Sequence, residues 1–190
     1  MNTPAHVAIN LLLLGRRDVP PVLVPVVIGA ILPDAPMFLF YFVEKVVRRT
    51  PESVIWQQAY HQAGWQNFFD IFNSVPFIVV GMLLALWANS QWGLLLGGSM
   101  LLHIAGDLPL HHDDAHRHFL PLTNWRFQSP VSYWDPNHYG AIAAPLEILA
   151  VILSCIVLLQ LYTSPLGRLC IGTIGVLYLA YFAYILVVWI

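Results

Sequence analysis

From Leu169 to Ile190 the chain runs 22 residues without one charged side chain. A stretch of that length and character matches the roughly 20 apolar residues needed to cross the hydrocarbon core of a bilayer. Ala141 to Tyr162 is nearly as apolar, broken only by Glu147, Ser154 and Gln160. Thr163-Ser164-Pro165-Leu166-Gly167-Arg168 joins the two with Pro and Gly breakers, so they read as a helical hairpin. A soluble domain carries about 25% charged residues, whereas here charged residues are 9% and hydrophobic ones 58%. That is too little charge to coat a water-facing surface. The aromatic content of 13% excludes disorder. A net charge of −2 offers no basic face, so no nucleic-acid partner is expected. Cys155 and Cys170 both lie in apolar runs and suggest neither a disulfide framework nor a thiolate metal site. No cleavable signal peptide is visible, because the first apolar stretch precedes Arg16 and Arg17 instead of following basic residues.

Four more apolar stretches precede the hairpin. Val75 to Asn89 and Gly93 to Leu108 are joined by Ser90-Gln91-Trp92, with Gly93, Gly97 and Gly98 allowing close helix packing. Thr3 to Leu14 and Val19 to Leu32 flank the turn Gly15-Arg16-Arg17-Asp18, and Pro33-Asp34-Ala35-Pro36 ends the pattern. In lipid every backbone polar group must be satisfied internally, which favours helices. The expectation is an all-α polytopic membrane bundle of about six helices, forming a single membrane-embedded domain over 1–190. Residues 44–73 form a polar interfacial segment, and 109–140 form a His/Asp-rich loop on one membrane face.

An up-and-down arrangement sorts the polar residues in space. His6 and Asp34 lie well away from the Gly15 turn, on one side of the membrane. Asp70, His103, Asp107 and the whole 109–140 loop fall on that same side. His103 and Asp107 stand at i and i+4, on one helical face. Residues 111–118 then add four histidines and two carboxylates. Imidazole with carboxylate is a zinc-type ligand set that leaves room for water. The candidate metal ligands are His6, Asp34, His103, Asp107, His111, His112, Asp113, His116, Asp135 and His138. They are more than one ion needs, which suggests one to three divalent ions, most naturally zinc. Asp70, Asn73 and Ser74 either line this site or cap the helix near Val75. His61 reads as a surface histidine. Glu147 is an intramembrane acid and a functional candidate on that ground.

Thr3-Pro4-Ala5-His6, Gly29-Ala30-Ile31-Leu32-Pro33-Asp34 and the later His/Asp cluster resemble the bacterial membrane-bound metal-dependent hydrolase family. His103-Ile104-Ala105-Gly106-Asp107 also resembles the H-x-x-x-D element of zinc-dependent phospholipase C and the related single-strand nucleases. The resemblance implies a helical bundle in the bacterial cytoplasmic membrane whose clustered ions cleave phosphodiesters. The expected activity is hydrolysis of a phosphoester such as a lipid headgroup. Asp34 or Asp107 would orient or deprotonate water, and Arg117 and Arg126 would hold the phosphate. The alternative is a non-enzymatic metal-binding membrane protein, a transporter or sensor component.

Overall fold

The computed structural model describes residues 1–15 and 18–189. Arg16 and Arg17 of the first turn, and Ile190, lie outside them. Among the described residues the chain is all-helical, with no strand. Helix α1 is Thr3–Leu14, α2 Pro20–Ile31 and α3 Ala35–Phe42. A short α4, Glu52–Val54, precedes α5, Ala63–Phe72. Then come α6, Val75–Trp87, α7, Gln91–Asp107, α8, Gly140–Leu161, and α9, Pro165–Trp189. Wider π-type turns extend α3 through Val43–Val47 and α4 through Ile55–Ala59.

Among the described residues, three stretches are long and apolar enough to cross a membrane: Ala63–Trp87, Gly140–Leu161 and Pro165–Tyr184. A fourth arises if α2 and α3, bent by 55° where they meet, form one broken span. The expected bundle of about six helices is matched only in part: of those six, α1 and α7, at 12 and 17 residues, are not among these spans. At 12 residues α1 covers about 18 Å, short of a hydrocarbon core of about 30 Å. Helix α5, read from the sequence as interfacial, runs into α6 as one long apolar stretch, interrupted only at Asn73 and Ser74. There Ser74 caps α6 by accepting from the Phe77 N–H and donates its own hydroxyl to the Leu120 carbonyl.

The core is a contact layer of α1, α2, α8 and α9, with Ala5, Ala8, Val26, Ala30, Val151, Leu158 and Ile171 fully buried. Small residues let α7 approach closely on the other side of α2. A Cβ on Gly29 would collide with the Leu96 carbonyl and the Ser99 side chain. Through that gap the Ser99 hydroxyl donates to the Val26 carbonyl at 2.6 Å, and Asn10 Nδ2 donates to the Ser99 carbonyl at 2.8 Å. Gly29→Leu is therefore expected to force α2 and α7 apart, at about 1–3 kcal/mol for overpacking. A melting temperature in detergent equal to that of wild type would show that this gap is not tight.

At one end Asp18 joins two turns. Its carboxylate accepts from the Thr163 N–H (2.7 Å), the Ser164 N–H (2.5 Å) and the Ser164 hydroxyl (2.6 Å). The α1–α2 turn and the α8–α9 turn thus share one end of the bundle. At the other end Phe40 is buried among Trp56, Tyr60, Trp65 and Phe69, mostly in edge-to-face pairs. The irregular 109–140 loop covers that end.

Candidate metal centre

Four chain segments meet at the Asp107 carboxylate. The end of α7 supplies Asp107 and, one turn earlier, His103. Helix α1 brings His6, and the loop brings His111. The proline-imposed break between α2 and α3 presents Asp34. Asp107 is 2% exposed, and His6 and His103 are completely buried.

His6 Nε2 lies 2.9 Å from Asp107 Oδ1, and His103 Nε2 lies 3.0 Å from Asp107 Oδ2. His111 Nε2 lies 3.3 Å from Oδ1, and the Met1 amino nitrogen 2.5 Å from the same oxygen. Asp34 Oδ1 is 3.4 Å from His103 Nε2, while its Oδ2 accepts from the Thr3 hydroxyl at 2.5 Å. The His6 and His103 rings stack with centroids 3.6 Å apart. Ligand atoms of His6, His103 and Asp107 all lie within 4.8 Å of one another, and these three residues can hold a metal ion.

The tautomer of His103 tests whether an ion fits. His103 Nδ1 is 2.8 Å from the Ala30 carbonyl, which can only accept, so Nδ1 carries the proton. In the neutral ring Nε2 is then a bare lone pair. It faces a carboxylate oxygen at 3.0 Å, yet it is buried and makes no hydrogen bond. Either a second proton on Nε2, which pairs the ring with Asp107 and Asp34, or a metal ion shared with the Asp107 carboxylate satisfies this contact. The donor set of His6, His103 and Asp107 fits the second. The Ala30 carbonyl then fixes the ring orientation, as partners of metal-bound histidines do. His6 Nδ1 is likewise buried without a partner.

Comparison with protein-family models, curated proteins and solved structures found no match. What the site can do therefore rests on its own chemistry.

Beside the carboxylate cluster lies a cavity of about 230 Å³, lined in part by Thr3, Asp34, His111, Asp114, His116 and Tyr133. Burial pulls the His111 pKa down, but contacts with Asp107 and Asp114 outweigh it and carry the value up to about 9. Asp114 is disfavoured as a charge by burial, yet His111 and Trp134 hold its pKa below the ordinary carboxylate range. Burial pushes His118 down to about 4.

The structure brings His6, Asp34, His103, Asp107 and His111 together, and it spreads the other candidates over two further groups. His116 Nδ1 faces Asp70 Oδ1 at 3.2 Å. Arg117 and Arg126 converge on the same buried carboxylate, at 2.5 Å from Arg117 Nε and 3.3 Å from Arg126 Nη2. Their remaining contacts go to Asn67, Asn124, Gln66 and the Ala115 carbonyl. Neither arginine lines the cavity; both tie the loop to α5. His112, Asp113, Asp135 and His138 form the second group.

Sequence reasoning missed Asp114, Thr3 and the Ala30 carbonyl. Asp114 sits beside Asp113 in the same run, and spacing alone does not say which of two adjacent loop carboxylates turns inward. Thr3 belonged to the Thr-Pro-Ala-His stretch but was not assigned a role. A backbone carbonyl leaves no mark in a sequence.

Proposed function

We propose that this protein is a membrane-embedded, metal-dependent hydrolase of phosphoesters, with lipid headgroups as the natural substrates. The observation that carries the reading is the buried His6–His103–Asp107 group, whose ligand atoms all lie within 4.8 Å of one another, beside a polar cavity. His6, His103 and Asp107 would hold a zinc-type divalent ion, with Asp34 and His111 within reach of a second. The ligand set, nitrogen with carboxylate, suits zinc. Such an ion supplies Lewis acidity towards a phosphoryl oxygen and lowers the pKa of water towards 7.

The chain's own residues do the rest. Asp34 faces the cavity with a quarter of its side chain exposed, and the Thr3 hydroxyl fixes one of its oxygens. It is the group placed to take a proton from attacking water. Tyr133 and the His111–Asp114 pair line the same space and would orient the ester oxygens. The cavity is lined in part by Phe69 of the membrane-length Ala63–Trp87 stretch, which supports a substrate drawn from a lipid surface, and the family resemblance points the same way.

Zinc-loaded protein is expected to hydrolyse bis-para-nitrophenyl phosphate, or phosphatidylglycerol in mixed vesicles. Asp34→Asn should lower kcat at least 100-fold, in the range of general-base losses, with the ion at His6, His103 and Asp107 kept. Full metal loading without turnover of either substrate would overturn the hydrolase reading in favour of a metal-binding membrane protein.

A further inference from the structure

Residues 119–127 of the loop carry their polarity the wrong way round for a segment in water. Arginine is ordinarily among the exposed side chains. Here Arg117 and Arg126 both turn inward to the buried Asp70 carboxylate, and their side chains are only 15% and 32% exposed. The polar side chains between them are occupied as well. Asn124 Oδ1 accepts from Arg117 Nη1 at 3.0 Å, and Thr123 Oγ1 accepts from the Trp125 N–H at 3.1 Å. What faces outward is apolar. Leu122 is 78% exposed and Trp125 52%, and Phe119 and Phe127 are exposed beside them in the chain. Phe119, Trp125 and Phe127 form a row of rings, with neighbouring centroids 6.0 and 6.1 Å apart. A clustered apolar surface of this kind marks a place that something apolar covers.

We propose that this finger, Phe119 to Phe127, rests in the boundary layer of a lipid bilayer, with Phe119, Leu122, Trp125 and Phe127 turned to lipid. Three observations favour lipid as the occupant. First, the outward face combines aromatic rings with a leucine and carries no free charge, because Arg126, the one charged residue of the finger, is spent on Asp70 and Gln66. Aromatic rings, tryptophan above all, gather at the membrane–water boundary, and an unpaired cation there would be costly. Second, the finger is fastened to a helix of membrane character. The Val75 N–H donates to the His118 carbonyl at 2.8 Å, and the Ser74 hydroxyl donates to the Leu120 carbonyl. Val75 opens α6, whose exposed Phe77, Val80 and Leu84 belong to the membrane-length Ala63–Trp87 stretch. Third, the finger turns back on its own backbone. The Leu120 N–H donates to the Arg117 carbonyl at 3.1 Å, and the Leu122 and Thr123 N–H groups donate to the Phe119 carbonyl at 2.8 and 3.2 Å. Contact with lipid requires such internal pairing of backbone donors. The finger starts just beyond His116, which lines the cavity, so its anchorage holds that side of the cavity against the lipid surface. This placement goes beyond the hydrolase reading and does not depend on it.

The test places the chain in phosphatidylcholine–phosphatidylglycerol vesicles with a nitroxide attached through Leu122→Cys, after Cys155→Ala and Cys170→Ala. A second preparation carries the label through Asp113→Cys, a mostly exposed position of the same loop. Power saturation reads collisions with oxygen, which concentrates in lipid, and with a nickel chelate confined to water. The label at 122 should meet oxygen more than nickel, and the label at 113 nickel more than oxygen. Equal nickel access at the two positions would overturn the proposal. So would a label at 122 shielded from both reagents and broadened by a neighbouring nitroxide, because a second copy of the chain would then cover the finger. A measurement without cysteine changes uses vesicles whose lipids are brominated on the upper acyl chain. Wild type should lose more tryptophan emission there than Trp125→Phe, and an equal loss would also overturn the proposal. Neither readout involves turnover, so a protein that hydrolyses no phosphoester still gives the expected result if the finger lies in lipid.

Discussion

His103→Ala and Asp107→Ala are each expected to lose the buried metal ion while the chain still inserts and folds. Asp107 faces nitrogens from His6, His103, His111 and Met1, so its removal takes away the one carboxylate that His6, His103 and His111 share. His103 offers Nε2, because its Nδ1 is tied to the Ala30 carbonyl. Either loss should weaken binding well beyond the 10–100-fold seen when only a supporting partner of a metal ligand is removed. The helices long and apolar enough to cross a membrane depend on apolar length at other positions. A purely structural His–Asp pair forecasts the reverse: metal content unchanged and melting temperature lowered. Zinc per chain and melting temperature, measured on the same preparations, decide between them.

Asp70→Ala should be the most destabilising single change at the loop. Asp70 is fully buried and satisfies Arg117 through both its side chain and its backbone N–H, as well as Arg126 and His116. Removing one partner of a buried ion pair leaves the other charge uncompensated, at about 3–5 kcal/mol. Arg126→Gln, which removes a longer contact from a partly exposed side chain, should cost much less. An Asp70→Ala melting temperature within error of wild type would mean that the arginines find water instead.

The site was legible in the sequence wherever helix periodicity or topology controlled it. The i, i+4 spacing put His103 and Asp107 on one face, and up-and-down threading put His6 and Asp34 on the same side of the bundle. The structure stacks His6 on His103 and sets Asp34 3.4 Å from that ring. The loop was harder to read, because it has no period. Eight adjacent residues sort into three environments through backbone turns and partners as distant as Asp70 and Ser129. The same applies to Arg117 and Arg126. Their charge suggested a phosphate, but a buried carboxylate on α5 lies closer. The helix inventory differs at α5 for another reason: hydropathy read segment by segment does not show that α5 continues into α6 as one membrane-length stretch.

The Asp18 clamp has a consequence for the order of synthesis. Its hydrogen-bond partners, Thr163 and Ser164, lie 145 and 146 positions further along the chain. At about 5–20 residues per second, the α1–α2 turn waits roughly 7–30 s before the α8–α9 turn exists to close on it. During that time the Asp18 carboxylate must stay in water or find other partners. The first hairpin therefore reaches its final position late. A ribosome stalled within α8 would hold a chain in which His6 and His103 are both already made, but the bundle that brings them together is still open at its opposite end.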